Sequence, residues 1–352
     1  MRTMIYNISL YFIFICTLVF IFLLLTNQPL PDMSWINSTN IQSFKTMFLS
    51  IILEALPFIL LGVIVSSLLQ IFVSEQTITR IIPKNPILAI LFACLIGIIF
   101  PVCECGMIPI VRRLIKKGMP VYVAVVFILI GPILNPIVYA ATYMAFRSRP
   151  EIAYSRMALA FVVASIIGLV IYRFVKGNVL RVTAEILHSE QHTTHEHSHT
   201  HEHNHSHDHE HEHGHNHSNK LFSLLGHASD EFFEMGKYLM FGSLVTAIIQ
   251  TFVARESLVT IGHDGLGSHI FMMGFAYILS LCSTSDAFVA SSFINTFSKG
   301  SLLTFLVFGP MLDFKGTLML LSVFKTKFVL LLSGLIVVTV LVGSLLFERL
   351  FF

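Results

Sequence analysis

Two cysteines separated by a single glutamate, Cys103-Glu104-Cys105, lie between Pro101 and Gly106 in an otherwise apolar stretch. Thiolates are soft ligands that select copper(I), zinc and, by the same softness, trivalent arsenicals. A third thiol, Cys282, holds the matching place in Ser280-Leu281-Cys282-Ser283-Thr284-Ser285-Asp286. If the two stretches meet, three thiols converge. Glu104, Thr284 and Asp286 add oxygen ligands or proton carriers beside them. The spacing is not that of a closed zinc site. The plainer alternative is a set of ordinary membrane cysteines beside a structural kink.

Other polar residues interrupt apolar runs in matched pairs. Glu54 and Glu234 each precede a glycine, Gly62 and Gly242, by eight positions. A carboxylate inside a membrane segment is costly and is a functional candidate by default, here as a proton carrier. The alternative is an interfacial carboxylate near a helix start, which fits Glu234 better because Asp230 and Glu231 are close by. Asn135 follows Gly131-Pro132, and Asp313 follows Gly309-Pro310. A Gly-Pro break frees backbone carbonyls that can coordinate a cation or line a path; kink packing explains it equally well.

These residues need elements that hold them at depth. The chain has 352 residues, 55% hydrophobic and 12% charged, against about 25% charged in a soluble domain. Apolar segments at Leu10–Leu25, Thr46–Val73, Ile87–Phe100, Val121–Phe146, Ile152–Val175, Phe232–Val253, Ile270–Leu281, Ser301–Phe324 and Phe328–Phe347 approach or exceed a bilayer span of about 20 residues, or fall short of it beside a break. The fold class expected is an all-α polytopic membrane protein. The first segment is too long for a signal-peptide core and lacks a small-residue cleavage site, so it reads as a retained helix. Cys16 and Cys94 read as packing residues.

Ile87–Phe100 and Ile270–Leu281 are short and end in breaks. Pro removes an amide donor and kinks a helix. Two topologies satisfy this pattern: a long broken helix, or a re-entrant hairpin whose tip reaches mid-membrane. Irregular backbone at that depth must line a cavity or be buried in protein. With hairpins, Arg80, Lys84, Arg112, Arg113, Lys116, Lys117, Arg173, Lys176, Arg181, Lys325 and Lys327 fall inside, and Arg147, Arg149, Arg156, Arg255 and Lys299 fall outside. Cytoplasmic loops are enriched in Lys and Arg, which favours the hairpins and places residues 183–228 in the cytoplasm.

The order Glu, Cys-containing break, Lys-Gly, Gly-Pro is kept twice along the chain. Weak internal repetition of this kind marks secondary transporters. It divides the chain into an N-terminal helix and loop (1–43), a first repeat (44–182), a connector (183–228) and a second repeat (229–352), with the halves inverted if the hairpins hold. The connector carries His195, His197, His199, His201, His203, His205, His207, His209, His211, His213, His215 and His217. It has too few apolar residues to build a core and is expected to be disordered. Imidazoles in a flexible run bind zinc, copper, nickel or cobalt by avidity rather than fixed geometry.

Pro101-Val102-Cys103-Glu104-Cys105-Gly106-Met107-Ile108-Pro109, with Lys117-Gly118 and Gly131-Pro132-Ile133-Leu134-Asn135-Pro136, resembles the predicted-permease family that includes ArsP-type organoarsenical efflux permeases. The resemblance spans roughly residues 44–175 and 229–347. It implies a permease of the cytoplasmic membrane, exporting trivalent organoarsenicals in characterised relatives, with Cys103 and Cys105 as candidate ligands. Glu104 between them and the His-rich tract are not features of the family pattern, and both leave a divalent metal open as substrate.

A net charge of +2, with basic residues at segment ends, points to membrane orientation rather than nucleic acid. No phosphate-binding glycine loop is present, which speaks against an ATP-driven pump in one chain. No His-Glu-x-x-His or Ser/His/Asp set lies within the apolar segments, so an enzyme is not expected; His263, Asp264 and His269 read as isolated loop residues. The partners expected are the bilayer, a small ion or organometalloid substrate and, in the alternative reading, a membrane or soluble subunit that this chain assists with a metal-buffering arm. No cofactor is required. Deleting residues 188–216 is expected to leave thermal unfolding in detergent unchanged while abolishing retention on an immobilised-nickel column.

Overall fold

The computed structural model describes residues 38–72, 74–99, 103–175, 177, 179–181, 217–252 and 265–351. The expected N-terminal helix with Cys16, residues 100–102, the His-rich tract as far as residue 216, and Arg255, His263 and Asp264 lie outside the described residues. The described chain is helical, and its one β-type contact is an isolated bridge between Leu180 and Phe324. The helices are α1 (Ser38–Phe72), α2 (Glu75–Ile81), α3 (Pro86–Ile99), α4 (Glu104–Lys116), α5 (Val121–Ile130), α6 (Pro136–Ala145), α7 (Glu151–Phe174), α8 (His217–Phe252), α9 (Gly265–Leu279), α10 (Ser285–Ser291), α11 (Lys299–Met311), α12 (Phe314–Val323) and α13 (Thr326–Phe351). Helix α8 starts at His217, inside the stretch assigned to the connector.

Among the described residues, five stretches are long and apolar enough to cross a membrane: Ile41–Leu69, Glu151–Phe174, Phe232–Thr251, Lys299–Val323 and Thr326–Phe351. Two apolar runs expected as single segments are each divided. Val121–Phe146 forms α5 and α6, and Ser301–Phe324 forms α11 and α12. The reason is local. Asn135 takes extended backbone and its side chain accepts the Val138 amide at 2.9 Å; Asp313 does the same for the Gly316 amide at 2.6 Å. Each is an N-cap, satisfying an amide that a new helix leaves without a partner.

Helices that are apolar all round belong in the interior. In α5 every residue from Val123 to Ile130 is buried, and α11 is buried over Gly300–Phe308. These two touch at the centre. Around them α7 packs on α5, α13 on α11, α3 on α5 and α9 on α11, while α7 and α13 close against each other. The long helices α1 and α8 pair along one flank, where α1 lies on α4 and α8 on α12. At one end of the bundle Lys325 donates its amide to Val179 and Arg181 donates to Val323, joining the exit of α7 to the corner between α12 and α13. At the other end Lys299 pairs with Glu151 at 3.1 Å, joining the start of α11 to the start of α7.

The α1–α4 crossing is made by backbone. A Cβ built on Gly62 would collide with the carbonyl oxygen and Cα of Gly106, so α1 approaches the first turn of α4 with no side chain between them. Beside this contact, the Ser66 hydroxyl reaches the Pro109 carbonyl at 3.4 Å. Gly62→Leu is expected to push α1 off α4 and to destabilise the protein by about 1–3 kcal/mol, the scale of overpacking a close-fitted contact. Thermal unfolding of the purified chain checks this.

Candidate functional site

Helix α4 begins at the first sequence break. Cys103, at its N-cap position, has extended backbone and is half-buried; Glu104, Cys105 and Gly106 in the first turn are buried. A carboxylate there is favoured by the positive end of the helix dipole. The side chains of Cys103 and Cys105 are close enough to interact, and the Cys105 thiol points at Oε1 of Glu104, 3.9 Å away.

Glu104 faces a residue that sequence reasoning passed over. Nζ of Lys315, on the first turn of α12, stands 3.6 Å from Glu104 Oε1 and 4.0 Å from Asp313 Oδ2. All three side chains are buried. Neither distance is a direct hydrogen bond. Glu104 Oε2 and Asp313 Oδ2 are buried with no hydrogen-bond partner among the described residues. Two acid groups and one amine therefore face one another across a small buried gap, with one acid more than bases. The signal for Lys315 was present. It is a lone cation two residues after Asp313 in an apolar run, and such a residue normally marks a site or finds a carboxylate.

The second break is held differently. Asp286, in the first turn of α10, is gripped by Arg156 of α7, whose Nη1 and Nη2 donate to its two oxygens at 3.0 and 2.8 Å. Nη2 also donates to the Ser283 carbonyl at 3.1 Å and Nη1 to the Thr142 hydroxyl of α6 at 2.8 Å. Arg156, counted above among outside loop charges, is fully buried inside the protein. Arg112, counted as an inside loop charge, is likewise buried and pairs with Glu234 of α8 at 2.8 Å. The sequence alone could not separate these from flanking charges, since each lies within a turn or two of a helix end.

The start of α12 lies beside both breaks. Ser280, held at a positive φ of 45°, accepts the Lys315 amide on its hydroxyl at 3.3 Å, and the Lys315 side chain then reaches Glu104. Cys282 is half-buried, accepts the Thr284 hydroxyl at 3.5 Å and lies within electrostatic range of Glu104. Among the described residues no three His, Cys, Asp or Glu side chains converge closely enough to hold a metal ion. Glu54 is exposed on α1, yet near enough to Glu104 and Cys282 for their charges to interact. Glu234 stands apart, on Arg112. Asn135 and Asp313 are helix caps, and Asp313 alone also faces the gap. The loop reading of His269 is corrected: it is buried on α9, bonded to Glu348 and Thr304.

A family profile described as predicted permease matches residues 40–349. The chain is 48% identical over 302 residues to the UPF0718 protein YcgR of Bacillus subtilis, covering 86% of this chain and 96% of that protein. It is 38% identical over 288 residues to a protein of Streptococcus mutans called a putative two-component membrane permease complex subunit, covering 82% and 89%. No solved structure matches the chain. These relatives point to a transporter rather than an enzyme.

Removing one partner of a buried ion pair leaves the other charge uncompensated. Arg156→Met is therefore expected to destabilise the protein by about 3–5 kcal/mol, and Arg156→Met with Asp286→Leu to regain most of it. Thermal unfolding of both variants in detergent tests the pair.

Proposed function

The chain belongs to the family of predicted permeases, and on that premise we propose that it carries a soft metal or metalloid species, a trivalent arsenical or a transition-metal ion, outward across the cytoplasmic membrane. The observation that carries this reading is the paired thiols of Cys103 and Cys105 at the start of α4, beside the Glu104–Lys315–Asp313 gap. Thiols select a soft cargo. The excess of acid groups over bases suits a cation, which would displace an acid proton and compete with the Lys315 ammonium for Glu104 and Asp313. Cys282, Thr284 and the exposed Glu54 lie on the approach to the same place.

Alternating access follows from an inverted arrangement of the two halves. Support comes from the matched element order, a long helix, a Cys-containing break, a Gly-Pro break closed by an Asx cap, and a second long helix in each half. Further support comes from the pairing of α1 with α8 against α4 and α12, leaving α6 and α10 to pack on each other. In the opposite state the pair would shift toward α6 and α10. Alternation of this kind, rocking one unit against another about a fixed site, is common among such transporters. On this arrangement residues 183–228 lie in the cytoplasm, where the His-rich tract collects ions near the entry.

A second reading has its own support in the Streptococcus relative, named as a subunit of a two-component complex. There this chain is the membrane subunit of a pair and its His-rich arm buffers metal. Proteoliposomes holding the purified chain alone, assayed with As(III), methylated arsenicals, zinc and copper, separate the two. The expected result is flux of at least one of these, slowed by Cys103→Ser at least about tenfold, the scale seen when even an outer-shell partner of a bound metal is lost. Flux that appears only when a membrane extract is co-reconstituted supports the subunit. No flux in either case, with a Cys103→Ser strain as resistant as wild type, sinks the first reading.

A further inference from the structure

At the end of α1 lies a groove of about 240 Å³ whose lining residues are all apolar. Leu69 of α1, Ile78 of α2, Ala93 of α3, Leu114 of α4 and, after α4, Met119 each form part of its wall. Water gains nothing in such a space, because an apolar cavity offers it no hydrogen-bond partners. Left empty, the groove costs its lining atoms their contacts on one side. Its edge is open: Ile81, which lines it, is 54% exposed. On α3, next to the lining residue Ala93, Leu91 and Leu95 face outward as well. In a membrane such outward apolar side chains meet lipid. The chemistry at hand to fill the groove is a hydrocarbon chain.

Cations gather beside this groove. Arg80 sits in the last turn of α2, two positions after Ile78, and Lys84 follows in the turn before α3; both are exposed. Lys117 comes one turn after Leu114 on the same face of the chain. Its Nζ donates to the Leu69 carbonyl at 2.6 Å, which brings an ammonium to the α1 wall. Arg113 and Lys116 belong to the same turn of α4. Residues 70–85 and 111–119 hold these cations and Arg112, which pairs with Glu234, against Glu75 as their one acid. Basic residues in the last turn of α4 suit its dipole, and Lys and Arg at segment ends set membrane orientation. Those roles account for cations at a membrane edge and not for the apolar slot beneath them. We propose that the groove is a binding site for an anionic phospholipid, one acyl chain lying in the slot and the headgroup phosphate on Arg80, Lys84 and the basic turn of α4. Long basic side chains lay their stems along apolar surface and keep their charge at headgroup level, and basic pockets between membrane helices bind anionic headgroups. The site involves neither the thiols nor the cargo, so its test stands apart from that of transport.

The test is lipid binding to the full chain in neutral detergent, read by native mass spectrometry. The probes are dioleoyl phosphatidylglycerol, dioleoyl phosphatidylcholine with the same chains and no net charge, and glycerol 3-phosphate with the anion and no chain. Phosphatidylglycerol is expected to bind at least about tenfold more tightly than phosphatidylcholine, and Arg80→Gln with Lys84→Gln to remove that preference, as the loss of two surface cations implies. Glycerol 3-phosphate is expected not to bind at the same concentrations. Ala93→Phe fills the slot and leaves every charge in place; it is expected to weaken phosphatidylglycerol binding about tenfold or more, the equivalent of about two buried methylenes. Equal binding of the two lipids overturns the proposal, since it marks an unselective lipid coat. So does a preference that survives the loss of Arg80 and Lys84, glycerol 3-phosphate binding as tightly as the lipid, or wild-type lipid binding by Ala93→Phe. Should Ala93→Phe fail to fold, Ile96→Trp, at a half-buried position of the same wall, takes its place under the same criterion.

Discussion

A helix that begins inside an apolar layer leaves its first amides without intrahelical partners, and α4, α6, α10 and α12 all begin inside this molecule's packing. Most of the polar architecture answers that one constraint. Asn135 and Asp313 close the open amides of α6 and α12. Glu104 and Asp286 place carboxylates in the first turns of α4 and α10, where the helix dipole favours them. Those carboxylates are buried, so each requires a cation, and Lys315 and Arg156 meet the requirement from helices of the opposite half. The ion pairs that knit the halves together are thus consequences of interrupting helices where water is scarce.

The two pairs meet the requirement unequally. Arg156 spans both oxygens of Asp286 and reaches two further acceptors, which fixes the second break to α6 and α7. Lys315 touches neither of its carboxylates within hydrogen-bond distance. A planar guanidinium fork suits rigid bidentate pairing, and an ammonium on a flexible stem suits exchange. One break is therefore clamped and the other is poised, and the thiol pair sits at the poised one.

Much of this was legible in the residues. Segment lengths announced the membrane helices, and Pro and Gly announced the breaks, because both act through local backbone chemistry. The capping roles of Asn135 and Asp313 were close to hand, since each follows a Gly-Pro interruption. What was not legible was which side chains cross between elements. Arg156 and Arg112 looked like flanking charges, as only tertiary packing decides whether a residue one turn into a helix faces water or a carboxylate. His269 looked like loop because the residues around Gly265 and Gly267 signal a turn, while its partners lie 35 and more positions away. The convergence of thiols depends on how near two breaks far apart in the chain come to each other, which spacing along the sequence does not give.

The glycine contact between α1 and α4 has a mechanical consequence. Where side chains interlock, displacement along a helix must lift each one over its neighbour and re-sort its rotamers. Gly62 and Gly106 offer only backbone to backbone, so nothing there has a rotamer to change. At that one contact the surface bordering the paired thiols is built like a plain bearing rather than a gear.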